Sequence, residues 1–367
     1  MEREELRGEQ CLIPLRLRDR DAIITGDDLI FRVYGYFHPL DAYVCDLEYA
    51  PATIFKSTNP KAFRAKGKQV YYKFYEDEGL RFVQQKYPDY TIFYKPLQER
   101  LVGVQREFIA KTRKPEERFR KLMGRPPKDD LLKALHGVFN LIATRSNLSD
   151  KGFGVFGSLL HGFHHPQFSD LDLIVYGEEK LGRLCETLED LYRERVPPLR
   201  NEFESDEAIR GKRWRFVNYR RKEYLWHQRR KTVYALFADK DSGRVVKTEF
   251  EPVKDWKEIY NEYSPDMRIV KRGWIKVVAR VTDDHNAPFI PSIYQIELIK
   301  ILDGPRVEHL QRIVSYVEEF RMQAKRGEEV YVEGNLEEIV TPTNVFHQVT
   351  LTYGPRYYEQ VLKVLKT

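Results

Sequence analysis

Apolar positions along the chain change period, and the changes outline its organisation. From Cys11 to about Leu97 they form short runs of strand character: Ala22-Ile23-Ile24, a polar Thr25-Gly26-Asp27-Asp28 turn, then Leu29-Ile30-Phe31-Arg32-Val33. One helix is predicted near Glu76 to Lys86, before a strand at Tyr90 to Tyr94. A basic connector follows from Lys111 to Lys128 and contains Arg125-Pro126-Pro127. Past the prolines, Leu131, Leu132, Leu135, Val138, Phe139 and Ile142 recur at helical spacing and predict one buried face. Phe153 to Phe156 reads as a strand ending at Gly157-Ser158, and Leu171 to Tyr176 as a second, strongly apolar strand. An amphipathic helix carries Leu181, Leu184, Cys185, Leu188 and Leu191, and Thr232 to Ala238 predicts a third strand.

Beyond a tether around Asp255 to Asp266 the texture is β again, with strands near Ile269 to Thr282, Tyr294 to Leu302 and Leu310 to Val317. A short helix, Glu319 to Lys325, then precedes strands at Glu329 to Ile339 and Val345 to Tyr353. Three strands, a helix and two strands is the order of an OB-like β-barrel. The expected layout is therefore α+β: a β-rich region over 1–110, an α/β region over 111–254 and an OB-like region over 255–367.

Length and composition agree with several folded units. A chain of 367 residues exceeds the usual size of one core, and 42% apolar with 32% charged residues suffices to build cores under a charged surface. The formal charge of +6 arises from 62 basic and 56 acidic residues, so it permits a polyanionic partner without demanding one. Cys11, Cys45 and Cys185 lack CxxC spacing, which argues against a thiolate zinc site or a disulfide framework. The charged start MEREELRGEQ and the lack of a long apolar stretch point to a cytoplasmic protein with no membrane association.

The chemistry concentrates in Gly154-Val155-Phe156-Gly157-Ser158, ten intervening residues, and Ser169-Asp170-Leu171-Asp172-Leu173-Ile174-Val175-Tyr176. On a strand, alternation directs Asp170 and Asp172 to one face and Leu171 and Leu173 to the core. Paired carboxylates suit hard cations, and a pair of Mg²⁺ ions would serve in-line attack at an α-phosphate. Gly157 lets backbone turn closely around a triphosphate, and the Ser158 hydroxyl can donate to its oxygens. An ordinary turn beside a decorated strand end is the competing reading, disfavoured because both halves fall in a strand, turn and strand context.

Together these residues resemble the signature of the DNA polymerase β-like nucleotidyltransferases. The text GSLLHGFH, a spacer and SDLDLIVYG is similar to that of archaeal predicted nucleotidyltransferases, and Asp19-Arg20-Asp21, Leu29 to Pro39 and Val278 to Asp283 extend the likeness over most of the chain. The resemblance implies an NTP as substrate, Mg²⁺ held by Asp170 and Asp172, and a third carboxylate from a later strand flanked by apolar residues. Thr232 to Phe237 contains no carboxylate, which leaves Asp239, Asp241, Glu249 and Glu251. Asp239 is preferred because it ends the predicted third strand, with a solvated turn carboxylate as the equal alternative.

Other candidates are weaker. His161 is a candidate contact to phosphate or base, or a packed turn residue; His164 and His165 lack the partners of a zinc set. The tract from Lys212 to Lys231 interleaves basic residues with Trp214, Phe216, Tyr219, Tyr224 and Trp226, either to guide a nucleic-acid strand or to pack as a core face. Arg229, Arg230 and Lys231 are candidate triphosphate clamps. The expected activity is transfer of a nucleoside monophosphate to a hydroxyl on RNA or another nucleic acid. The alternatives are a protein or small-molecule acceptor, and a non-catalytic nucleic-acid-binding protein.

Overall fold

The computed structural model describes residues 16–210, 214–239, 242–354 and 356–365. Cys11, Lys212 and Asp241, named above, lie outside the described residues.

Three sheets follow one another along the chain. The first comprises β1 (Ala22–Thr25), β2 (Ile30–Val33), β3 (Ala42–Pro51), β4 (Phe63–Lys66), β5 (Gln69–Lys73), β6 (Thr91–Tyr94), β7 (Glu99–Gln105) and β8 (Ile109–Arg113). Its main path runs β4-β5-β3-β2-β1-β8, and the β6–β7 hairpin joins through β7 and β3. Helix α1 (Glu78–Lys86) packs against it, because Gly79 allows the helix to approach the Leu47 carbonyl: a Cβ there would stand 2.6 Å from that oxygen.

Two helices, α2 (Pro115–Met123) and α3 (Asp130–Ser146), lead into the second sheet. The Asp129 side chain accepts from the Leu132 amide at 3.0 Å, which satisfies a donor otherwise orphaned at the start of α3. Leu131, Leu135, Val138 and Ile142 are fully buried, and each such side chain contributes about 1.5–3 kcal/mol of burial. The sheet consists of β9 (Phe153–Val155), β10 (Leu171–Tyr176), β11 (Leu199–Asn201), β12 (Tyr234–Ala238) and β13 (Val245–Val253), in the order β11-β12-β13-β10-β9. Short α4 (Gly157–His161) follows β9, α5 (Glu178–Tyr192) covers the sheet, and α6 (Arg221–Arg229) precedes β12. The inward residues of α3, α5 and β10 form one core, so the odd positions of β10, Leu171, Leu173 and Val175, face the helices.

Strand β13, absent from the expectations above, is the one that matters. Val245-Val246-Lys247-Thr248-Glu249-Phe250-Glu251 alternates, burying Val246, Thr248 and Phe250 and turning Lys247, Glu249 and Glu251 to the other face. It runs parallel to β10 with Asp172 opposite Glu249 and Ile174 opposite Glu251.

The third sheet holds β14 (Arg268–Asp283), β15 (Ser292–Asp303), β16 (Leu310–Ser315), β17 (Glu329–Val340), β18 (Val345–Leu351) and β19 (Val361–Val364). Pairing runs β14-β15-β16-β18-β17, and β17 pairs with β14 again; β16 and β18 are parallel. In place of the helix expected at Glu319 to Lys325 there is only a 3-10 turn, Glu318–Phe320. The whole is a mixed α+β chain, and among the described residues no helix is long and apolar enough to cross a membrane.

A candidate active site at the Gly157 turn

Strand β9 stops at Val155 and the chain turns into α4, with the Phe156 amide donating to the Asp172 carbonyl at 3.1 Å. Gly157 has φ +57°, and a Cβ there would stand 2.5 Å from Asp172 Oδ2. Glycine is thus required twice, by left-handed backbone and by the carboxylate against it. Ser158 is nearly buried, and its hydroxyl makes no hydrogen bond among the described residues.

The register of β13 places Glu249 beside Asp172, and Asp170, just before β10, is near enough for its charge to act on Asp172. The accumulated negative charge is visible in the titration of Asp172. Burial first, then the charges of Glu249, Asp170 and Glu251, push its carboxyl up to about 8, with Lys73 acting in the opposite direction. Lys247 meets Glu249 at 2.5 Å and Glu202 at 3.5 Å. Burial would lower this lysine, but Glu249, Glu202 and Asp170 hold it above the usual lysine range. Among the described residues no group of three or more His, Cys, Asp or Glu side chains is placed to hold a metal ion. Asp170, Asp172 and Glu249 nonetheless offer the oxygen donors that a hard divalent cation takes.

The other sequence candidates are not brought to this point. Asp239 caps the β12–β13 turn, where it accepts from the Ser242 hydroxyl. It lies five residues along from Tyr234, the β12 partner of Glu249, so roughly 17 Å of strand at 3.3 Å per residue intervenes. Its amide donates to the Arg244 carbonyl, as a turn residue's does. His161 is 1% exposed; Arg113 Nη1 donates to its Nδ1 at 2.7 Å, and its ring packs edge-on against Tyr49 with centroids 5.2 Å apart. Burial first, then Arg113 and Lys66, hold that ring well below its usual pKa, so His161 is a neutral packing residue between the first sheet and α4.

Arg229 donates to the Phe203 and Glu204 carbonyls, and Arg230 pairs with Glu328 over the Trp226 ring. Lys231 is buried and donates to Gln228 Oε1 and to the Glu319 carbonyl. These contacts tie α6 and its flanks to the rest of the fold and spend the three cations away from the Gly157 turn. The aromatic tract is likewise core: Phe216 lies 5.7 Å from Tyr224, 5.7 Å from Tyr357 and 6.4 Å from Phe320.

Asp19-Arg20-Asp21 is structural. Arg20, 2% exposed, contacts Glu251 at 3.0 Å and Glu318 at 2.7 Å, and Arg321 also pairs with Glu251. Burial alone would raise the Glu251 carboxyl, but Arg321 and Arg20 outweigh it and hold Glu251 below the ordinary range. Glu251 is thereby committed to a buried ion network, while Glu249, two residues earlier, stays on the face with Asp172.

A turn of glycine and serine against paired aspartates on a mixed sheet is the arrangement that the resemblance to nucleotidyltransferases implies. Residues 141–236 match the family model described as the nucleotidyltransferase domain, so the chain carries a nucleotidyltransferase domain. An uncharacterised protein of Methanocaldococcus jannaschii is 25% identical over 332 residues, spanning 89% of this chain and 92% of its own length, so the likeness runs well beyond the matched domain. No solved structure matches the chain.

Proposed function

We propose that this nucleotidyltransferase is Mg²⁺-dependent, uses an NTP, and transfers a nucleoside monophosphate to a hydroxyl of RNA or another nucleic acid. The observation that carries the reading is the register that sets Glu249 beside Asp172, directly behind the Gly157 turn. Asp170, Asp172 and Glu249 would hold the metal, with Glu249 rather than Asp239 as the third carboxylate. Bound there, Mg²⁺ supplies charge neutralisation for the departing pyrophosphate and lowers the pKa of the attacking hydroxyl. Ser158 contributes a hydroxyl without an internal partner among the described residues, which can donate to a phosphate oxygen. Gly157 leaves room for the nucleotide to approach the backbone, and Lys247 balances Glu249 and Glu202 while the carboxylates are without a cation.

Support for nucleic acid as the acceptor comes from the third sheet. Its strand β17 pairs back with its first, β14, as it would in the OB-like barrel expected from the sequence, and such a fold commonly presents an oligonucleotide groove. Free Cys45 and Cys185 suit the cytoplasm.

The test is incubation with α-labelled NTPs, Mg²⁺ and separate pools of RNA, DNA, protein and metabolites. Label is expected on nucleic acid, and Asp170→Asn or Asp172→Asn should abolish it. Label on protein or metabolites alone would move the acceptor to that class. Metal-independent RNA binding with no label in any pool would identify a binding protein on a transferase scaffold.

A further inference from the structure

Many charged side chains in this fold are paired, and a cluster of cations beside α4 is not. Lys66 on β4, Arg113 on β8, Arg118 and Lys121 on α2, and Arg125 and Lys128 in the α2–α3 connector have no carboxylate within ion-pair distance among the described residues. Three of them are anchored to α4 itself: Arg113 to His161 Nδ1, Arg118 Nε to the Leu159 carbonyl at 3.0 Å, and Lys66 Nζ to the His161 carbonyl at 3.2 Å. At Gly162 an added Cβ would meet Lys66 Nζ at 3.3 Å and Arg118 Nη2 at 3.6 Å, so cations from the first sheet and from α2 converge on the end of the Gly-Ser turn. Burial, and then their mutual repulsion, lowers the pKa of both Lys66 and Arg118, as expected of a site that lacks its counter-charge.

Four of these residues border a cavity of about 240 Å³. Arg118, Lys121, Arg125 and Lys128 line it together with His164, and the acid on its wall, Asp129, is hydrogen-bonded to that histidine at 3.1 Å. The loop that supplies His164 continues to His165 and Phe168, whose rings lie 4.6 Å apart at 32°. Phe168 is 77% exposed, two residues before Asp170. An apolar ring exposed on the same loop as a wall residue of a basic cavity suits stacking of an unpaired base while the charges take its phosphates.

We propose that this basic groove and the Phe168 platform bind the acceptor as a single-stranded nucleic acid, with phosphates along Lys121, Arg125 and Lys128 and a base on Phe168, leading its end toward Asp170. The proposal rests on the transferase reading for its direction of approach, but its binding step requires neither NTP nor metal.

It is tested on the full chain by fluorescence anisotropy with a labelled oligouridylate of about 15 nucleotides, a length within the span such grooves cover, in EDTA and at several salt concentrations. The wild type should bind with strong salt dependence. Lys121→Glu with Arg125→Glu should weaken binding at least tenfold and lower the salt slope by about 1.4, roughly 0.7 for each phosphate that the pair no longer neutralises. Phe168→Ala should weaken it roughly tenfold with the slope kept. Unchanged melting temperatures control for folding, since these side chains are exposed. No saturable binding by the wild type, or equal binding by both variants, would overturn the proposal. So would a parallel tenfold loss of Mg–ATP binding in the charge-reversed variant, which would make the cluster a triphosphate clamp. Failure of label transfer with intact oligonucleotide binding would sink the transferase reading and leave the groove standing.

Discussion

Asp172 carries the sharpest consequence of burial at the level of one residue. Its carboxyl is raised to about 8, so between the unfolded value of 3.8 and that figure the folded chain binds a proton that the unfolded chain does not. The sign follows: without metal, this group costs stability progressively as pH rises from about 4 to about 8. Asp172→Asn removes that cost. In EDTA at pH 8 the variant should melt a few degrees above the wild type, each kcal/mol being worth roughly 2–4 °C for a long chain. Below about pH 4, where Asp172 is protonated in the folded and the unfolded chain alike, the two should coincide. Mg²⁺ should raise the melting temperature of the wild type at pH 8 and leave that of the variant in place. A variant less stable than the wild type at pH 8 in EDTA would mean that no crowded negative charge awaits a cation there.

At the level of elements, strand β13 carries the proposed third carboxylate, Glu249. Asp239 is the natural choice when strands are read singly, because it terminates the apolar run Thr232 to Ala238. Pairing gives another result: β13 lies between β10 and β12, and its register faces Glu249 with Asp172 on one side and Tyr234 on the other. Glu249→Gln should therefore lower label transfer at least a hundredfold, about the scale of losing an electrostatic contributor to a transition state. Asp239→Asn should leave transfer within about threefold and cost at most about 1–3 kcal/mol for the Ser242 contact. The reverse ranking in the same assay would restore Asp239 as the ligand.

Much of this element structure is legible in the sequence. Apolar alternation marks β10, the helical spacing of Leu131 to Ile142 marks α3, and the long strands of the third sheet stand near their expected limits. Strand β13 escapes notice although Val245 to Glu251 alternates cleanly. Charged residues fill its outward positions, and a strand with three charges on one face looks like a loop until that face is seen to be a site. The Lys212 to Lys231 tract misleads for the opposite reason, since its aromatics have partners such as Phe320 and Tyr357, far away in sequence.

Across the whole molecule, the buried network of Arg20, Glu251, Glu318 and Arg321 links β13 of the second sheet to both others. Its members come from before β1, from β13 and from the turn after β16. Removing one partner from such a network leaves uncompensated buried charge. Glu251→Ala should accordingly cost about 3–5 kcal/mol in urea unfolding. A cost below about 1 kcal/mol, the scale of an exposed pair, would show that the three sheets do not depend on it. The same network explains why two glutamates two residues apart, Glu249 and Glu251, have different fates: one meets arginines brought from both flanking sheets, the other meets the aspartates.

The Gly157-Ser158 turn and the Asp170/Asp172 pair can be read from the amino-acid order, because their chemistry is set by local geometry: a glycine at a strand end and alternation along one strand. Most of the strands and helices can be read in the same way, since their apolar periods are local properties. The proposed third carboxylate, the burial of His161, the structural duties of Arg229, Arg230 and Lys231, and the gathering of Lys66 with Arg113 and Arg118 at the end of α4 emerge only once the chain is folded. Each of these depends on register or on contacts between residues far apart in the chain, and such pairings leave no periodic trace in either partner's own stretch of sequence.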